Sequence, residues 1–276
     1  MPELPEVETI RRDLEPRVVG RRIERVAIHP GGERVAITHA PRELEAQLAG
    51  LRIEELGRHG KYLLVHLDDD RTWVVHLRMT GLLLLRPLEE SSGRFERARI
   101  DFDDGTGLRF EDSRKFGTWH LVEDPREAFP RAGPDALSAG FTVAWLREAL
   151  GRRSVPVKTA LLDQRVAAGV GNIYADDAIS LAGIDPRAAS NGIGPRRVRR
   201  LHGAVQQALL DGLGDRGSSF DRYRDAFGKS GGHHLRVHVF RRDGEPCERD
   251  RCRGRRISRT RIGGRATHYC GSCQRP

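Results

Sequence analysis

Apolar residues recur along this chain first at helical spacing and then at strand spacing. Val7, Ile10 and Leu14 fall on one helix face, which predicts a helix over residues 1 to about 16. Pro5 suits its first position, and Glu3, Glu6 and Glu8 complement its positive end. Short apolar or alternating runs then follow at 23–28, 51–56, 62–67, 73–77, 82–85, 100–102, 108–110 and 119–122, and each predicts a strand. Asp103-Asp104-Gly105-Thr106-Gly107 is a turn between two of them. The series predicts a sandwich of two mostly antiparallel sheets.

Beyond a proline- and glycine-rich stretch at 124–140, which reads as a linker, the period changes. Segments 145–150, 158–162, 173–182 and 198–213 carry helical spacing and break at glycine, proline or asparagine. The fold class is therefore α+β: a helix and a β-sandwich, then a helical domain. No repeat, low-complexity segment, signal peptide or membrane-spanning apolar run is visible, so a soluble, cytoplasmic protein without a membrane partner is expected.

Charge changes the picture. With 48 Lys and Arg against 39 Asp and Glu, the net charge of +9 suggests a polyanionic partner. Residues 239–276 hold 11 Arg and 4 acidic residues, a local balance of 11 − 4 = +7, together with every cysteine of the chain. Cys247, Cys252, Cys270 and Cys273 form two close pairs 17 residues apart, the layout of a four-thiolate zinc knuckle. Disulfide pairing is the alternative, disfavoured without a secretory signal. The first pair is separated by four residues where two are usual. Between the pairs, residues 255–267 read as a glycine-turned hairpin whose guanidinium groups can meet phosphates. Only four of the basic residues are lysines (Lys61, Lys115, Lys158 and Lys229), which makes each a candidate for a task arginine cannot do.

Two further segments carry chemistry. Removal of Met1 would expose Pro2 as a secondary amine beside carboxylates. An α-amino group titrates at roughly 7.7 to 8.0, so a fraction is free to attack at neutral pH. Attack on a sugar C1′ gives an iminium, an electron sink for breaking neighbouring bonds, with Glu3 placed to move protons. An ordinary acid-rich helix start is the plainer reading. In 161–174, Gly169 and Gly171 permit close backbone approach and Asn172 suits a helix cap, so amides there could bind a phosphate; a plain helix–turn–helix connection is the alternative.

Five ordered motifs resemble those of the formamidopyrimidine-DNA glycosylase family, bacterial base-excision enzymes for oxidised purines. They are Pro2-Glu3-Leu4-Pro5-Glu6-Val7-Glu8-Thr9, His76-Leu77-Arg78-Met79-Thr80-Gly81, Asp112-Ser113-Arg114-Lys115-Phe116-Gly117, the 162–174 segment, and the cysteine knuckle ending Cys273-Gln274. The resemblance implies a catalytic sandwich domain (1–131), a linker (132–140), a helix-two-turn-helix domain with a lesion-recognition loop (141–238) and a zinc finger (239–276). It implies Pro2 as nucleophile, Glu3 as proton donor and acceptor, Lys61 as a phosphate-contacting catalytic lysine and Glu6 as a supporting carboxylate. Met79, Arg114 and Phe116 would fill the gap left by a flipped nucleotide. Lys158, Asn172 and Arg265 would contact DNA, and Lys229 would lie in the lesion loop. One structural Zn²⁺, no other cofactor, damaged double-stranded DNA as partner and a monomer associated with the bacterial nucleoid complete the expectation.

The chain departs from the family pattern at Ser113 and Lys115, at Asp177 where glutamate is common, and in 217–235. There Gly231-Gly232-His233-His234 replaces an expected aromatic residue after glycine, and glycines 228, 231 and 232 predict a mobile loop. The competing readings are an endonuclease VIII type enzyme for oxidised pyrimidines, a zinc-dependent DNA-binding protein without catalysis, and a small-molecule enzyme using its N-terminal proline as a base.

Overall fold

The computed structural model describes residues 1–276, which form two compact units. The first comprises Met1–Pro130 and Asp215–His234; the second comprises Arg131–Gly214 and Leu235–Pro276.

In the first unit, α1 (Leu4–Val18) leads into β1 (Ile23–Ile28), α2 (Pro41–Leu48), β2 (Ile53–His59), β3 (Tyr62–Leu67), β4 (Thr72–His76), β5 (Gly81–Pro87), β6 (Glu96–Phe102), β7 (Thr106–Asp112) and β8 (Thr118–Val122). Two four-stranded sheets, β1-β6-β7-β5 and β2-β3-β4-β8, are antiparallel throughout. The alternation in the sequence determines what each strand buries. Leu63 and Val65 enter the main core, while Leu64 joins Val74 and Val122 in a smaller cluster capped by Phe129. Trp119 anchors the main core, edge-on to Trp73 at 4.8 Å and to Phe110 at 5.5 Å between ring centroids. All eight sequence-predicted strands are present, while α2 was not anticipated, because eight residues with two buried leucines give too short a periodic signal.

The apolar stripe of α1 packs into the same core, but the helix also buries Glu3, Glu6, Glu8, Thr9 and Asp13. Glu8 is reached by Arg11 and Arg12 on its own helix and by Arg58 on β2, at 2.8 to 3.1 Å. This network joins the helix to the β2–β3 hairpin.

The second unit consists of α3 (Val143–Gly151), α4 (Val157–Leu162), α5 (Asn172–Leu181), α6 (Pro195–Gly214) and the hairpin β9 (Ser258–Ile262)–β10 (Arg265–Tyr269). The stretch read as a linker is folded: Gly133 N–H donates to the Gln164 carbonyl at 2.9 Å, and Asp135 and Ala136 are buried. Two adjacent aspartates of α5 organise the unit. Asp177 accepts the amides of His238, Val239 and Phe240, and Asp176 accepts the amide and ring nitrogen of His268.

The segment 215–234 was expected in the helical domain, and as a mobile loop. It is instead built into the first unit, with Tyr223 and Ala226 in the sandwich core and Ala226 accepting the Leu85 amide on the edge strand β5. Its glycines serve close approach. A Cβ on Gly231 would lie 2.2 Å from the Gly217 carbonyl oxygen, and one on Gly217, at φ +82°, would lie 2.9 Å from Glu6 Cγ.

The Glu8 network has a pH signature. Burial alone would raise its carboxyl, but hydrogen bonds from Arg11 and Arg12 and the charge of Arg58 outweigh it and lower the pKa from 4.5 to about 2. The stabilisation is complete above the unfolded value and is lost as pH falls from about 4.5 through about 2. Glu8→Gln should therefore lower the urea midpoint at pH 7, with the difference from wild type shrinking through this window. A difference that stayed constant down to pH 2 would contradict it.

Candidate active site and cation-rich hairpin

The start of α1 is closed on itself. Glu3 is the N-cap, and its backbone N–H donates to Glu6 Oε2 at 2.7 Å, the reciprocal arm of a capping box. Glu6 Oε1 accepts the Ser218 amide at 2.8 Å, so one carboxylate that is 1% exposed grips both the chain start and the 215–234 segment. Pro2 and Glu3 are buried at this point. Glu6, expected as a support beside the substrate, thus spends its oxygens on two backbone amides.

The same segment is secured from the other side. Arg216 bridges Asp13 on α1 and Asp225, at 2.6 to 2.9 Å. Tyr223 donates its hydroxyl to the Arg216 carbonyl at 3.2 Å, and burial together with the charge of Glu6 raises its pKa, so it stays a phenol. Asp225 accepts the amides of Phe227 and Lys229, leaving the Lys229 side chain exposed.

Lys61 occupies the β2–β3 turn after Gly60, whose φ of +56° permits the reversal, and is 5% exposed. Nearby, burial and the charges of Arg78 and Lys61 hold His76 well below its usual value. Its neutral Nδ1 accepts the Arg78 amide at 2.9 Å and fixes the turn before Met79.

Met79 and Phe116 protrude, 38% and 47% exposed, and Arg114 lies over the Phe116 ring at 4.8 Å. One buried carboxylate ties their two loops together. Asp112 Oδ1 accepts the Thr80 hydroxyl and the Arg114 amide, and Oδ2 accepts the amides of Phe116 at 2.7 Å and Gly117 at 2.8 Å. The three side chains named from the sequence are thereby placed as a set. Asp112 was missed as their organiser, although an aspartate two residues ahead of the turn it binds is a recognisable local pattern.

In the second unit, Lys158 does not face outward. It is fully buried, with Nζ 2.8 Å from the Ala266 carbonyl and from Thr267 Oγ1, and 2.6 Å from Asp176 Oδ1. An ammonium with such partners ties α4 to the hairpin and leaves no donor for DNA, which corrects the direct contact expected of it. Asn172 donates to the Ala266 carbonyl at 3.1 Å from the first turn of α5; Gly171, not Asn172, is the cap. Both side chains thus hold the backbone beside Arg265, whose own side chain is exposed.

The four cysteines are free thiols whose sulfurs all lie within 4.8 Å of one another. The Cys252–Cys270 and Cys247–Cys273 pairs are 3.8 and 4.0 Å apart, beyond a disulfide and close to the ~3.8 Å edge of a tetrahedron with ~2.3 Å metal–sulfur bonds. Burial, with the neighbouring Cys247, pushes the Cys252 thiol up to about 12, a cost that a bound cation removes. The residues fit a metal ion held by four thiolates, with no position left for water.

Fold and site define a class: a two-unit protein with a closed, carboxylate-lined chain start on one unit and, on the other, an arginine-rich hairpin beside four clustered cysteines that could hold a metal ion. The formamidopyrimidine-DNA glycosylase N-terminal domain matches residues 1–119, and the H2TH domain of the same enzymes matches residues 132–222. Proteins named formamidopyrimidine-DNA glycosylase from Herpetosiphon aurantiacus and Heliobacterium modesticaldum are 41% and 42% identical, covering 99% and 100% of this chain and 100% of each relative. Lactococcus lactis Fpg, solved with DNA containing an abasic site, superposes with a TM-score of 0.89 at 33% identity, over 99% of this chain and 100% of the other. The chain belongs to the formamidopyrimidine-DNA glycosylase family.

Asp112→Ala should remove the common acceptor of four donors. At roughly 1 kcal/mol or more per lost bond, the first unit should lose on the order of 3 kcal/mol, and the amides of Arg114 and Phe116 should lose hydrogen-exchange protection. Protection unchanged at both amides would contradict its organising role.

Proposed function

We propose that this protein is a bifunctional DNA glycosylase and abasic-site lyase of base excision repair, acting on oxidised purines such as 8-oxoguanine and formamidopyrimidines in duplex DNA. The observation that carries the reading is the buried start of α1, where the Glu6 carboxylate holds Pro2 and Glu3 against the Ser218 segment. Lactococcus lactis Fpg structures with abasic-site DNA and with Fapy-dG DNA support the substrate class.

With Met1 removed, the Pro2 nitrogen attacks C1′ and the damaged base leaves with the bonding electrons. The C1′–O4′ bond of the adduct then opens, O4′ taking a proton from Glu3 as the Pro2 nitrogen lone pair forms the iminium; the iminium acidifies the C2′ proton, and successive β and δ eliminations expel the 3′ and then the 5′ phosphate. Glu3 donates and accepts protons at the deoxyribose, and Lys61 steadies a phosphate. Met79, Arg114 and Phe116 fill the space of the extruded nucleotide, since unstacking costs a few kcal/mol and occupation of the gap offsets part of it. Arg265 binds a phosphate from the hairpin, with Lys158 and Asn172 positioning the strand behind it. Lys229 reaches the base pocket from its anchored segment. Cys247, Cys252, Cys270 and Cys273 hold one structural Zn²⁺, which supplies no reaction step. The protein acts as a cytoplasmic monomer.

Incision of duplexes carrying 8-oxoguanine, a formamidopyrimidine, thymine glycol or an abasic site tests this directly. The purine lesions and the abasic site should be cut well; preference for thymine glycol would move the protein to oxidised pyrimidines, and no cutting at all would overturn the enzymatic reading. In the same assay Phe116→Ala should lower cutting at an intact damaged base by on the order of tenfold to a hundredfold, the worth of a lost buried aromatic contact, with a much smaller effect at an abasic site. Equal losses on both substrates would reject the wedge.

A further inference from the structure

The four residues between the first two cysteines have no role in the activity proposed above. In the structure they end in a short 3-10 turn, Asp250–Cys252, and send two arginines in different directions. Arg249 turns inward, donating to the Ser180 carbonyl at 2.6 Å and toward Cys273 Sγ at 3.5 Å, which fastens the knuckle to α5. Arg251 joins Arg187, Arg253, Arg255 and Arg275 in lining a cleft of about 790 Å³ at the base of the knuckle.

Five guanidinium groups share the cleft with one carboxylate side chain, Asp185, and Arg187 already holds it at 2.6 Å. Arg251, Arg253, Arg255 and Arg275 are exposed and their side chains have no ion-pair partner in the protein. Converging like charges repel, and an anion in the cleft would relieve that repulsion. Guanidinium forks match phosphate oxygens two at a time. The remaining lining is glycine, serine, glutamine, proline and the edge of Cys252, with no aromatic or large aliphatic anchor of the kind protein partners use. A phosphodiester backbone needs none.

The cleft is distinct from the hairpin tip. Gly263 at the tip lies against Thr159, and β9 and β10 each run five residues between tip and knuckle, about 17 Å. One phosphate cannot occupy both places.

We propose that this cleft is a second phosphate-binding site, taking a stretch of nucleic-acid backbone separate from the one taken by the hairpin tip. The proposal rests on the reading that the protein binds DNA. Binding of undamaged duplex to the full-length, zinc-loaded protein should be followed by fluorescence anisotropy across a salt series. Arg251→Ala/Arg253→Ala should reduce the slope of log affinity against log salt by about 2, given about 0.9 per phosphate contact. Arg265→Ala should reduce it by about 1, and the combined variant by the sum, because the sites are separate. Retained stoichiometric zinc and an unchanged thermal unfolding midpoint would establish that the double variant is folded. A slope unchanged in the folded double variant would overturn the second site while leaving DNA binding intact, and so would arginine-dependent binding of an acidic peptide with DNA binding unaffected. A wild type that bound no duplex would instead remove the reading beneath it.

Discussion

A buried carboxylate that accepts backbone amides from two separate segments is the interaction on which the first unit depends. Glu6 is the clearest case, since its two oxygens take the amides of Glu3 and Ser218, which are 215 residues apart in the chain. A charged acceptor in a site of low polarity forms strong hydrogen bonds, and the same burial makes any unpaired donor there costly. The arrangement is therefore all-or-none: either both segments are seated or the carboxylate is stranded. Asp112 joins the two loops bearing Met79, Arg114 and Phe116 through the Thr80 hydroxyl on one and backbone amides on the other, while Asp225 gathers amides within the single segment 215–234.

Rigidity of this sort suits the proposed chemistry. A nucleophile at a chain terminus begins with the freest part of the polypeptide, and positioning it removes a large entropic part of the barrier. The reciprocal capping box supplies that order, with the Glu3 amide held by the Glu6 carboxylate and the Glu3 side chain accepting the Glu6 amide. The second unit follows the same logic with another charge: the fully buried Lys158 ammonium gathers Asp176, Thr267 and the Ala266 carbonyl, so the hairpin that presents Arg265 is backed by a rigid support.

The strands, the four helices of the second unit and the cysteine knuckle were legible in the sequence because each has a local signature: alternation, 3.6-residue spacing, or paired thiols at knuckle spacing. What the sequence did not disclose depends on partners distant in the chain. Glycines 217 and 231 carry the same letter whether they loosen a loop or allow two backbones to touch, and here they do the latter. Lys158 reads as a basic residue beside a phosphate site, and only the aspartate and carbonyl around it reveal an internal role. The organising task of Asp112 likewise appears only once Thr80, 32 residues earlier, is seen to share its oxygen.

The proposed chemistry requires that the nitrogen of Pro2 become covalently joined to the sugar. An iminium is reducible, so borohydride added during turnover should trap the protein on damaged DNA, and proteolysis should place the sugar on the N-terminal peptide. Protein retaining Met1, in which that nitrogen is an amide, should give no adduct. A cross-link that formed equally well with Met1 in place, or that mapped to Lys61, would contradict the account.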